Sequence, residues 1–161
     1  MRKMRIYLDT SVISYLDQPE SPEKFHRTHD LWKVFAANQF NQYDICISEI
    51  VLGELYKCRE EKLDKLIVYL GKIEYTILRE DDASRELAEG YIQENVLTRR
   101  HYLDLSHLAI ASVNYCNVLL SWNFSHIVQH RTMTGVNITN RKFGYGELML
   151  LSPFSFQWED E

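Results

Sequence analysis

The stretch Arg5-Ile6-Tyr7-Leu8-Asp9-Thr10-Ser11 reads as a short strand that runs straight into a carboxylate. Apolar residues follow one another without alternation, as they do in strands covered on both faces. Working outward, four further β-type runs stand out, Asp44–Ile47, Tyr75–Leu78, Val118–Ser121 and Leu148–Leu151, several of them likewise unbroken. The segments between them carry helical spacing. Ser21-Pro22-Glu23 reads as a helix start with Pro at the first helical position, leading to Leu31, Val34 and Phe35. Glu49 to about Arg59, the stripe Leu63, Leu66, Ile67 and Leu70, Asp82 to about Asn95, and Asp104 to Tyr115 follow the same rule. Strands alternating with helices predict an α/β fold whose parallel sheet is covered on both sides. In such sheets the working residues lie just beyond the carboxyl ends of the strands.

The chain of 161 residues is the length of one domain, and residues 1–161 are read as one. Hydrophobic residues make up 45% and charged residues 25%, values of an ordinary globular chain. No apolar run approaches the roughly 18 residues of a membrane span. The basic start Met1-Arg2-Lys3-Met4-Arg5 meets Asp9 too soon for a signal-peptide core, so a cytosolic protein is expected. Cys46, Cys58 and Cys116 form no C-x-x-C pair and read as reduced, mostly buried thiols. The net charge of −5 argues against a protein that coats nucleic acid by bulk charge. It leaves room for an enzyme acting on nucleic acid through local basic points such as Arg99-Arg100-His101, Arg131 and Arg141-Lys142.

Polar groups from four separated segments fall where the fold puts its site: Asp9 after the first strand, Glu54 on the helix after the second, Asp104 opening a later helix, Asn123 after the fourth strand. Oxygen ligands of this kind suit Mg²⁺ or Mn²⁺, which relieve repulsion between clustered carboxylates. Such ions activate water and stabilise both oxygens of a phosphodiester displacement. Each residue also has a plainer reading: Asp9 as a helix cap, Glu54 as a solvated helix residue, Asp104 as a first-turn charge and Asn123 as a turn residue. Spacing does not choose between them.

The segments Ile6-Tyr7-Leu8-Asp9-Thr10-Ser11-Val12-Ile13, Ile47-Ser48-Glu49-Ile50-Val51-Leu52-Gly53-Glu54-Leu55, Asp104-Leu105-Ser106-His107-Leu108-Ala109-Ile110-Ala111 and Leu119-Leu120-Ser121-Trp122-Asn123-Phe124-Ser125-His126-Ile127 resemble the successive blocks of PIN domains. The tail Asn140-Arg141-Lys142-Phe143-Gly144-Tyr145, with Leu151-Ser152-Pro153, resembles the family's closing strand. The resemblance implies a three-layer α/β/α fold with a central, mainly parallel five-stranded sheet. It implies a Mg²⁺- or Mn²⁺-dependent ribonuclease, similar to the virulence-associated (VapC-like) toxins of bacterial toxin–antitoxin pairs, with RNA as substrate and an antitoxin protein as partner. It places Asp9, Glu54 and Asp104 as metal ligands and catalytic residues, with Asn123 as a fourth catalytic position where many members have Asp. Thr10, His107 and Ser121 are expected beside them. A homodimer is also implied, and the apolar stripe between Glu60 and Lys72 supplies a surface for it. The alternative is a catalytically weak PIN scaffold that grips RNA or a partner protein, which Asn123 favours.

Overall fold

A computed structural model describes residues 3–158. Met1, Arg2 and Glu159 to Glu161 lie outside the described residues, and the expectations of a basic start and of one domain over 1–161 fall partly on them. The strands are β1 Met4–Leu8, β2 Tyr43–Ser48, β3 Thr76–Leu78, β4 Val118–Leu120 and β5 Met149–Leu151. Each lies within a residue or so of its expected bounds. They form a sheet in the order β3-β2-β1-β4-β5, with every neighbouring pair parallel.

Parallel neighbours require crossovers, and helices supply them. Between β1 and β2 run α1 (Thr10–Ser14) and α2 (Pro22–Ala37), and between β2 and β3 run α3 (Glu49–Leu55) and α4 (Glu60–Leu70). Between β3 and β4 lie α5 (Asp82–Gln93) and α6 (Tyr102–Val113), and between β4 and β5 lies α7 (His130–Lys142). α1 packs on α3, and the Trp32 indole of α2 donates to the Tyr69 carbonyl of α4 at 2.8 Å. α5 packs on both α6 and α7. Helices thus cover the sheet in two groups, giving the three-layer α/β/α fold. Ile6, Tyr7 and Leu8 of the central strand are fully buried, as the unbroken apolar run predicted.

The helix ends differ from expectation in places. The helix after β2 stops at Leu55, where the chain turns into Lys57 and Cys58 before α4 begins. α6 begins two residues before Asp104, which therefore sits in its first turn. Ser21 precedes Pro22 as expected but makes no side-chain cap bond. Asn140 to Lys142 are the last turn of α7 and not the approach to a strand.

α7 itself carries little apolar periodicity, because the face it buries is Thr132, Val136, Thr139 and Asn140. Polar contacts dock it. Asn140 Oδ1 accepts from the Tyr91 hydroxyl of α5 at 2.5 Å, and its Nδ2 donates to Ser112 Oγ of α6 at 2.9 Å. Asn137 accepts from the Leu148 amide and donates to the Leu148 carbonyl at the entry to β5. The Tyr91 hydroxyl is buried, and burial pushes its pKa upward, so it stays a donor. Tyr91→Phe strips that donor from a buried Asn140 and is expected to cost about 1–3 kcal/mol, read as a lower urea midpoint with an unchanged slope. A midpoint equal to wild type would show that the Tyr91–Asn140 bond does not hold α7.

Candidate active site

β1 lies between β2 and β4, and the chain leaves it in one direction for β2 and β3 and later returns to lay down β4 and β5 on its other side. The topological switch is therefore between β1 and β4. The register pairs Leu8 with Leu120, so Asp9 and Ser121 leave the sheet side by side at its carboxyl edge. The Asp9 amide donates to the Leu120 carbonyl at 3.2 Å, and Ser121 Oγ donates to Asp9 Oδ2 at 2.5 Å.

Asp9 is buried, 4% exposed. Its Oδ1 accepts from Ser11 Oγ at 2.6 Å and from the Val12 amide at 3.3 Å, which makes it the N-cap of α1 as well. The plain capping reading and the site reading thus hold together in one side chain. Burial raises its pKa, although the His107 charge and the bonds from Ser11, Ser121 and Val12 pull the other way.

Glu54 reaches the same edge from α3. Its Oε1 accepts from Thr10 Oγ1 at 3.0 Å and lies 2.8 Å from His107 Nε2. Burial opposes its charge, but His107 and Thr10 outweigh it and its pKa is lowered. A carboxylate only accepts, so Nε2 carries the proton. On the other side of the ring, Nδ1 meets the Tyr7 hydroxyl at 2.6 Å, and that hydroxyl meets Ser48 Oγ at 2.7 Å. Ser48 in turn caps α3 through the Val51 amide. A line of polar contacts therefore runs Ser48, Tyr7, His107, Glu54, Thr10 through the buried end of the sheet.

Asp104, half-buried, accepts a long bond of 3.4 Å from Asn123 Nδ2. Burial raises its pKa, His107, His126 and His101 lower it, and Glu54 raises it further. Asn123 Oδ1 accepts from the His126 amide at 3.0 Å, which fixes which end of the amide faces Asp104. His107, expected only as a neighbour, acts on all three carboxylates.

The sequence reading missed Tyr7, Ser11 and Ser48. A tyrosine inside a run buried on both faces has a hydroxyl that needs a partner, and that was the available signal for Tyr7. Trp122, which immediately precedes Asn123, is buried, with its Nε1 donating to Thr28 Oγ1 at 3.0 Å. The exposed ring of that segment is Phe124. Cys46 and Cys116 are buried and Cys58 is half-buried, all as free thiols.

Among the described residues, no group of three or more His, Cys, Asp or Glu is arranged to hold a metal ion. Glu54 is turned to His107 and Thr10, and Asp9 to its serines. The donor chemistry nevertheless suits a hard cation: the acidic groups offer oxygens, and the charges on Asp9 and Asp104 are ones that burial penalises.

The sheet order and helical layers define a PIN-like fold. No family model matches the chain, and no curated protein matches its sequence. A solved structure that is similar is VapBC2 from Rickettsia felis bound to a DNA fragment from their promoter, with a TM-score of 0.58 and 17% identity. The match covers 92% of this chain and 98% of that one, and at this identity it is a likeness of fold.

The raised pKa of Asp9 gives a sign to its effect on stability. The folded state holds the proton more tightly than the unfolded chain, so stability falls as pH rises from the unfolded carboxyl value through the folded one. Asn can keep the bonds to Ser11 and Val12 without the charge. In EDTA at neutral pH, Asp9→Asn is expected to melt at or above the wild-type temperature, with the difference vanishing in acid. A lower melting temperature at neutral pH would contradict the assignment of Asp9 as a buried, destabilising charge.

Proposed function

We propose that the chain is a divalent-metal-dependent endoribonuclease that hydrolyses RNA phosphodiester bonds, the toxin of a toxin–antitoxin pair. The observation that carries this reading is the meeting of Asp9, Glu54 and Asp104 around His107 at the switch point of the sheet. Asp9, Glu54 and Asp104 would hold Mg²⁺ or Mn²⁺, which when bound supplies an activated water and charge stabilisation at the scissile phosphate. The chain's own residues prepare the acids. Ser11, Ser121 and the Val12 amide fix both oxygens of Asp9. Tyr7 holds the ring that presents a proton from His107 Nε2 to Glu54. Asn123 positions Asp104 by donating to it without adding a negative charge.

A second reading, a PIN scaffold that binds RNA or a partner protein with weak chemistry, is favoured by Asn123 and by the engagement of Glu54 with His107. One assay separates the two. Purified protein is expected to cleave RNA with Mg²⁺ or Mn²⁺ and to stop in EDTA. Asp9→Asn and Asp104→Asn should each lower the rate by about a hundredfold or more. Asn123→Asp should tighten Mn²⁺ binding in calorimetry, since two close cations need more than the three negative charges of Asp9, Glu54 and Asp104. Cleavage by Asp9→Asn at the wild-type rate would remove the assigned site, and RNA binding without metal-dependent cleavage would favour the scaffold.

The reading includes an antitoxin protein as partner and a cytosolic setting. A likeness to a VapBC2 assembly supports the protein partner. No helix among the described residues is long and apolar enough to cross a membrane. The reading also includes a homodimer through α4. Leu66 and Leu70 of that helix face the core, while Ile67 and Val68 stay 47% and 62% exposed, leaving apolar surface without a cover in the chain itself. Light scattering at micromolar concentration is expected to give twice the chain mass, and Val68→Asp to return it to the mass of one chain. A wild-type monomer under those conditions would remove the dimer.

A further inference from the structure

Beside Asp104 the surface opens into a cleft of about 620 Å³, between the segment leading into α6 and the segment leading into α7. Arg99, His101, His126, Gln129 and Arg131 line it, and no Asp or Glu is among its lining residues. Such a wall is unusual in a chain with 23 acidic against 18 basic residues. The His101 and His126 rings lie against each other at a tilt, 3.9 Å between centroids and 34° between planes. The His126 amide donates to Asn123 Oδ1 at 3.0 Å, and Asn123 Nδ2 donates to Asp104 at 3.4 Å, so the cleft and the acidic site share a wall. On the far side α7 begins. It has no side-chain cap and no acidic residue in its first turn, so the positive end of its dipole is left for a ligand. Arg99 is paired with Glu89 through two bonds of 2.7 Å. Among the described residues, Arg131 is in none of the ion pairs.

We propose that this cleft binds the phosphates of the RNA strand on one side of the bond cut at the acidic site, with Arg131, His101 and His126 as the contacting side chains. The inference rests on the ribonuclease reading for the identity of the strand. The volume has room for a nucleotide unit: Ile92, Val96 and Leu97 form its apolar part, and the cationic, hydroxyl and amide groups beside them suit a sugar–phosphate backbone. Gln129 is held by its Nε2 bonds to the carbonyls of Phe124 and Ser125, and Thr132 Oγ1 donates to the His126 carbonyl at 2.8 Å. The wall is therefore built before any strand arrives. It also explains how an acidic protein can hold a polyanion: the charge that matters is local.

The test is fluorescence anisotropy with a fluorescein-labelled single-stranded RNA in EDTA, where no cleavage intrudes. Arg131→Glu and the double variant His101→Ala/His126→Ala are each expected to weaken binding about tenfold, with Arg131→Glu also flattening the salt dependence. Arg59→Glu, an equal charge change on an exposed residue away from the cleft, should stay near wild type. Circular dichroism melts establish that the variants fold, and Arg131→Gln serves if the reversal does not. Equal affinity of Arg131→Glu and Arg59→Glu, no RNA binding by the wild type, or tighter binding of a DNA strand of the same sequence would each overturn the proposal. The reading of the acidic site is judged separately. Asp104→Asn should bind the RNA and fail to cut it, whereas wild-type protein that binds through Arg131 but never cleaves would leave the cleft standing and sink the ribonuclease.

Discussion

The contact between Tyr7 and His107 ties the molecule's centre to its edge. Tyr7 stands on the innermost strand, so its hydroxyl has no water to turn to and must find partners inside. It finds Ser48 at the end of β2 and His107 on α6. That one hydroxyl therefore couples the sheet to helices from both of its covering layers. His107 passes the constraint outward to Glu54, whose position on α3 is in turn fixed by the Ser48 cap. Remove the ring, and α6 loses its polar anchor at the very point where three carboxylates meet.

Those carboxylates set a tension that runs through the site. Burial opposes charge on Asp9, Glu54 and Asp104 alike, and only at Glu54 do hydrogen bonds and the His107 charge win. At Asp9 the cap of α1 and the bonds from Ser11 and Ser121 offset part of that cost, and at Glu54 the bonds from His107 and Thr10 offset all of it.

Much of this was legible in the sequence, and for local reasons. Asp9 follows an unbroken apolar run, and a carboxylate at the end of a doubly buried strand has few plain uses. Glu54 and Asp104 fall on the helices that such strands must feed. The strands were legible because each carries consecutive apolar residues, such as Ile6 to Leu8 and Val118 to Leu120, that are buried together in the sheet's interior. α7 was not, because its buried face is Thr132, Val136, Thr139 and Asn140, which no hydrophobic period reveals. The part played by His107 was legible only as a neighbourhood, since its bond to Tyr7 spans 100 positions of chain. Trp122 shows the same limit: adjacency to Asn123 says nothing about which way an indole turns, and here it turns inward to Thr28. The ring His101 presents to His126 joins two segments that look like unrelated surface charge until the chain folds.

The polar docking of α7 separates precision of placement from strength of attachment. A helix held by an oily stripe can slide by a turn or roll and still be covered. One held by Asn137 pairing with the Leu148 backbone and Asn140 wedged between Tyr91 and Ser112 has a single seating, because amide geometry rejects near misses. Arg131 and the open first turn of that helix are thus indexed to the sheet like a tool in a keyed holder. The element that meets the outside of the molecule is aligned by directional bonds, and its orientation survives even though it contributes little oil to the core.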